Sequence, residues 1–188
     1  MWIMSLENVV RQCAPTLANI KTGSLFPVPY TSKEVIQKEI QELNKIIYPK
    51  GLCLIPLRYT DKQICLLYMF RPERLSDDLS NIEAQEILYQ NGYNEFSTSK
   101  CIHHLIERLE NYAEFPHEIG LFLSYPVSDV KGFIDNHAKN CKFSGLWKVY
   151  GDEQLAKDLF VKYQKCTSIY CANYHSGISF EKLAVASK

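Results

Sequence analysis

The sequence predicts an α/β domain with a mixed sheet of about five strands covered by helices; an α+β arrangement is the alternative. Three observations lead there. Val35, Ile36, Ile40, Leu43, Ile46 and Ile47 recur at helical spacing behind the capping residues Thr31 and Ser32. Two short apolar runs, Leu52 to Tyr59 and Gln63 to Phe70, are joined by Thr60-Asp61-Lys62 in the manner of a hairpin. From Ile119 onward the pattern alternates strand, helix, strand, helix, which predicts two parallel neighbours joined by a right-handed crossover.

The remaining elements follow in chain order. Ser5 caps a first helix carrying Leu6, Val9, Val10 and Cys13, which Pro15 is expected to stop. Thr22 to Pro29 reads as a turn and an edge strand, because its two prolines cannot donate to a central ladder. Pro56 places the first hairpin strand near an edge or bulge. Helices are predicted around 72–80, 82–91 and 97–112, then a buried strand from Ile119 to Ser124. Ser128 or Asp129 opens a helix to about Asn140, Leu146 to Tyr150 forms a strand, and Asp152 caps a long helix to about Cys171. Residues 1–188 are read as one domain, with a loosely ordered tail over about 176–188.

Composition narrows the function. Hydrophobic residues make up 46% of the 188 and charged residues 22%, so the chain can bury a core without staples. Lys plus Arg equals Asp plus Glu at 21 each, which gives no field to attract nucleic acid or anionic lipid. No apolar run reaches the roughly 20 residues that span a bilayer, and Met1-Trp2-Ile3-Met4-Ser5 lacks the regions of a signal peptide. Seven cysteines without paired spacing predict free thiols in a reducing, cytoplasmic setting.

Chemistry is expected where predicted strands run into helix starts: Phe70-Arg71-Pro72, Ser124-Tyr125-Pro126 and Tyr150-Gly151-Asp152. Ligands of α/β sheets collect beyond the carboxyl ends of strands, where helix N-termini favour negative charge. Arg71, Tyr125, Lys148, Tyr150, Gly151 and Lys21 are therefore the candidate binders of a small anionic ligand or cofactor, whose identity stays open. Cys13, with Lys21 nearby, is the candidate nucleophile, although the carboxyl end of a helix opposes a thiolate. His117 is the candidate acid, base or ligand, at the opposite end of the sheet from Arg71.

Neither His103 with Glu107 nor Cys166, Cys171 and His175 has the spacing of a zinc site, so no metal is assigned. A P-loop, G-x-G-x-x-G and G-x-S-x-G are all absent, which removes the commonest nucleotide and hydrolase readings.

Four phrases carry a resemblance. They are Cys13-Ala14-Pro15-Thr16-Leu17-Ala18 with Lys21 and Ser24-Leu25-Phe26; Phe70-Arg71-Pro72; Phe115-Pro116-His117-Glu118-Ile119-Gly120-Leu121-Phe122-Leu123 with Tyr125-Pro126; and Trp147-Lys148-Val149-Tyr150-Gly151-Asp152. Together they resemble a family of clostridial-type anaerobic bacteria catalogued as domain of unknown function 3793, over nearly the whole chain. The resemblance implies a bacterial cytoplasmic protein near redox or iron-homeostasis functions, with Ser124 standing where the pattern carries glycine. Two alternatives to ligand binding stay open: an accessory protein docking a redox or metal-homeostasis partner around Trp147 and Tyr150, and thiol-based redox or metal sensing through Cys13, Cys141 and Cys166.

Overall fold

The computed structural model describes residues 4–111 and 114–187. The expected signal-free start at residues 1–3 and the end of the predicted 97–112 helix lie outside them. Among the described residues five strands and nine helices form two compact units, Met1–Glu73 with Lys165–Lys188, and Arg74–Gln164.

In the first unit the chain runs α1 (Leu6–Leu17), β1 (Gly23–Pro29), α2 (Lys33–Ile47), β2 (Cys53–Tyr59) and β3 (Ile64–Phe70). The second half of α8 (Glu153–His175) and then α9 (Phe180–Leu183) also belong to it. Ser5 caps α1 through Asn8 N–H and Ser32 caps α2 through Val35 N–H, as the sequence predicts. Pro15 does not stop α1. It sits in the last turn, and its carbonyl accepts from Ile20 N and Lys21 N while Asn19 takes the left-handed conformation at φ 58°. That closes the helix two residues later, in the Schellman manner.

The three strands lie in the order β1-β3-β2, all antiparallel, with the hairpin placed as predicted and a register shift between Pro56 and Arg58. Strand β1 is an edge. Tyr30 N donates to Gln63 O, so Pro27 and Pro29 fall on the alternate residues whose N–H would face outward, and both are exposed. On β2, Asn44 of α2 bonds the main chain of Leu54 in both directions at 2.8 Å. The core forms from Phe26, Val28, Leu54, Cys65, Leu67 and Met69 of the strands with apolar residues of α1 and α2.

Residues 176–187, expected to be loose, carry α9. Phe180, Leu183 and Ala184 enter the same core at i, i+3 and i+4, Val185 N donates to Leu17 O and Ser187 N to Lys50 O.

The second unit contains most of α3 (Pro72–Ser80), then α4 (Ile82–Gln90), α5 (Thr98–Asn111), α6 (Ile119–Phe122), α7 (Val127–Asp135), β4 (Phe143–Ser144), β5 (Lys148–Val149) and the first half of α8. Helices α3, α4, α5 and α8 match their predicted positions. The strand expected over Ile119–Ser124 is instead the short helix α6, ended by Ser124 at φ 58°. Nor do the described residues hold a parallel crossover: β5 pairs antiparallel with β4 in a separate two-stranded sheet. The predicted strand count holds, divided three and two.

Candidate functional site

Three of the candidate residues, Cys13, Lys21 and Arg71, meet at one end of the three-stranded sheet. Gly23 is paired with Phe70, so the start of β1 lies beside the end of β3, and Arg71 N donates to Thr22 O at 2.9 Å. The Schellman turn returns the chain from α1 to that point. Cys13, Thr16, Lys21 and Ser24 are gathered there within a stretch of twelve residues.

Arg71 is fully buried, and its whole donor fork is engaged inside the unit. Nε donates to Thr16 O at 2.8 Å, one terminal nitrogen to Leu17 O and Val185 O, and the other to Lys50 O and Ser187 Oγ. A guanidinium has five N–H groups, and five acceptors meet them. The expectation that Arg71 receives a ligand is corrected on that ground: it ties the last turn of α1 to the C-terminal segment.

Cys13 is also fully buried. Burial pushes its thiol well above the ordinary range, against smaller opposing effects of the Lys21 charge and a hydrogen bond with Ser24. Thr16 Oγ1 and Ser24 Oγ are hydrogen-bonded at 2.9 Å, and either hydroxyl can be the donor. Cys13 is thus held as a neutral thiol, unlike the nucleophile proposed from its position.

Lys21 belongs to a partly exposed turn, Ala18 to Lys21. Burial of its amine pulls the pKa down to about 8, only partly countered by Cys13. At neutral pH most of this amine stays charged, with a larger uncharged fraction than an ordinary lysine has.

The other candidates belong to the second unit, and their polar groups are largely engaged there. Asp129, 2% exposed, accepts from Tyr150 N at 2.8 Å and Gly151 N at 2.7 Å through Oδ1, and from Trp147 Nε1 at 2.7 Å through Oδ2. The N–H groups expected to hold a ligand anion therefore hold the protein's own carboxylate. Lys148 Nζ donates to Ala138 O at 2.7 Å. Tyr125 stacks on Trp147 at 4.6 Å between centroids. Trp147 is 8% exposed, which leaves it no docking face.

His117 packs edge-on against Phe133 at 4.9 Å, with Glu114 at 3.7 Å. The hydroxyl of Tyr150 is buried without a protein partner among the described residues, so an ordered water is its expected neighbour.

The second unit also holds an open pocket of about 310 Å³, lined by Asp77, Asp78, Asn81, Ser124 and Tyr125 among others. Its charged lining groups are carboxylates, which repel an anion.

Sequence reasoning missed Thr16, Ser24, Asp129 and Glu118 as organising residues. Glu118, 1% exposed, lies 2.6 Å from Arg108 Nε and accepts from Tyr93 Oη at 3.1 Å. Thr16 and Ser24 did leave a signal, as hydroxyls inside otherwise apolar phrases. Asp129 and Glu118 left none, because their partners lie between 10 and 25 residues away.

Among the described residues no group of three or more His, Cys, Asp or Glu side chains is placed to hold a metal ion. No disulfide joins the seven cysteines. No helix among those residues is long and apolar enough to cross a membrane. No curated protein and no solved structure matches the chain. The four phrases that carry the resemblance fold into two clusters, one at the end of β3 and one around Asp129. The model of the family described as "protein of unknown function (DUF3793)" matches residues 9–184, and the chain belongs to that family.

Proposed function

We propose that the chain binds a small anionic ligand or cofactor at the carboxyl end of β3, with Lys21 as the group that receives it. One observation carries the reading: Lys21 stands on a partly exposed turn, at the end of β3, while its amine lies buried where its positive charge is disfavoured. An anion placed beside that amine would restore the lost stabilisation of its charge, so ligand binding and protonation of Lys21 support each other. Arg71 acts here as a positioning residue. By fixing the carbonyls of Thr16 and Leu17 it fixes the end of α1 that leads into the turn carrying Lys21.

Docking of a redox or metal-homeostasis partner draws no support from Trp147, which is turned inward and bonded to Asp129. Thiol sensing draws none from Cys13, whose burial suppresses the reactive thiolate.

The test is thermal-shift and calorimetric titration with phosphate, sulfate, small carboxylates and flavin mononucleotide at pH 6.5 and 9, on the wild type and Lys21→Met. The expected result is anion stabilisation at pH 6.5 that fades at pH 9 and is lost in Lys21→Met. Equal stabilisation of wild type and variant, or none by any anion, sinks the reading.

A further inference from the structure

The open pocket of the second unit repels a simple anion, yet one of its walls favours negative charge. Its volume of about 310 Å³ stands at the lower end of the roughly 300–1,000 Å³ typical of ligand sites. Asp77 and Asp78, in the last turn of α3, give it a negative wall, while Pro126 and Val127 bring the start of α7 to another. We infer that this pocket binds a free α-amino acid with an aliphatic side chain, its ammonium group beside the carboxylates and its carboxylate at the N-terminus of α7. The site belongs to the second unit and does not rest on the anion reading at Lys21.

The ammonium end is set by charge. The last turn of α3 has no basic residue although the helix dipole favours a cation there, and it carries two carboxylates instead. Arg74 stands one turn behind Asp78 on the same helix and offsets one of those charges, which leaves a net negative charge that a single ammonium matches. Asp78 Oδ2 accepts from Ser124 Oγ at 3.4 Å, which holds that carboxylate at the pocket wall. Ser124 precedes Val127 by three residues, so the main chain between the two walls spans at most about 11 Å. A short zwitterion with a hydrogen bond at each end bridges that distance.

The carboxylate end is set by open donors. Helix α7 has nine residues, and its N-cap is Pro126, which makes no side-chain capping bond. Asp129, in the first turn, is engaged with Trp147, Tyr150 and Gly151 instead. Among the described residues Val127 N and Ser128 N donate to no protein acceptor. A carboxylate placed there meets those donors and the positive end of the helix dipole together. Between the two ends Leu121 and Pro126 supply apolar surface for an aliphatic side chain, and Tyr125 is held in place by its stack on Trp147 at 4.6 Å. A cation alone leaves the α7 donors unmet, and an anion alone faces the carboxylates of α3. A zwitterion answers both walls.

The experiment titrates the full chain calorimetrically with L-leucine, and with two analogues that each lack one of its charges, 3-methylbutylamine and 4-methylpentanoate. Leucine is expected to bind roughly tenfold or more tightly than either analogue. Asp77→Asn, at an exposed carboxylate, should weaken leucine roughly twofold to fivefold. Val127→Pro removes one of the open donors at the helix position that suits proline, and Pro126, at φ −52° and ψ 135°, already has the conformation a residue before proline takes. That variant should bring leucine close to the affinity of the amine and leave the amine's own affinity unchanged. If Val127→Pro does not fold, the comparison of leucine with its two analogues on the wild type decides. Absence of leucine binding at ~10 mM, or amine binding as tight as that of leucine, overturns the inference.

Discussion

Arg71 Nε donates to the Thr16 carbonyl at 2.8 Å, so the residue that follows β3 also holds the end of α1. Arg71→Lys keeps a positive charge but replaces a five-donor fork with a single flexible ammonium. Most of the five acceptors then lose their partners in a buried place, and the expected loss is about 3 kcal/mol or more. Urea unfolding at an unchanged m-value measures it. A loss below about 1 kcal/mol would show that water replaces the fork easily.

Lys21 gives a pH signature of definite sign. Its pKa in the folded chain, about 8, lies below its unfolded value near 10.5. Between those limits the unfolded chain holds a proton that the folded chain has released, so this residue's contribution to stability rises with pH from about 8 to about 10.5. Below about 8 the contribution is flat and unfavourable. Lys21→Met should be more stable than wild type at pH 7, by roughly 1–3 kcal/mol, with the advantage shrinking towards pH 10. A pH-independent difference between the two proteins contradicts the assignment.

Cys13 should resist alkylation. Its thiol has no exposed surface and is held protonated by burial, so iodoacetamide under native conditions should leave it unmodified and label it only after denaturation. Time-resolved peptide mass spectrometry, with the half-buried Cys141 and Cys171 as internal comparisons, reads the difference. Early labelling of Cys13 would restore the nucleophile that burial argues against.

Asp129 organises Trp147, Tyr150 and Gly151 through three hydrogen bonds of 2.7–2.8 Å. Asp129→Ala removes all three acceptor contacts and is expected to cost about 3 kcal/mol, with a red shift of Trp147 emission as water reaches the indole. Asp129→Asn retains one acceptor oxygen and should fall between the two. An unshifted emission spectrum with native stability would sink this account.

Gly132 faces Tyr150 so closely that an added Cβ would run into the Tyr150 Cβ and Cγ. Gly132→Ala should destabilise by about 1–3 kcal/mol, although alanine is the better helix former. Its chemical-denaturation midpoint tests the packing of α7 on β5. Gly177→Ala is the contrast, since nothing lies within 4 Å of that position and only its φ of 93° opposes a side chain.

Much of the fold was legible because its signals are local. The α2 stripe, the hairpin turn at Thr60-Asp61-Lys62 and the caps at Ser5 and Asp152 each lie within a few residues of their effect. The failures came where one pattern permits two structures. Ile119 to Ser124 is a short apolar run, and periodicity alone cannot separate a buried strand from a buried helical turn. Ser124 held the deciding detail, because its φ of 58° is the left-handed conformation that ends a helical turn and interrupts a strand. In the tail, the i, i+3, i+4 spacing of Phe180, Leu183 and Ala184 was present but short, and the polar residues around it outweighed it. The candidate site was half legible. Residue types fitted for binding anions were recognised, but whether Arg71 or Gly151 meets an outside anion or an internal oxygen depends on Val185, Ser187 and Asp129, which no local pattern links to them.

The outer margins of the three-stranded sheet have a consequence for self-association. Pro27 and Pro29 leave β1 without donors at two outward places, while Asn44 already occupies both main-chain groups of Leu54 on β2. A second molecule or an extended peptide finds an interrupted ladder on either side and cannot prolong it. At high concentration this sheet should resist fibril-like growth.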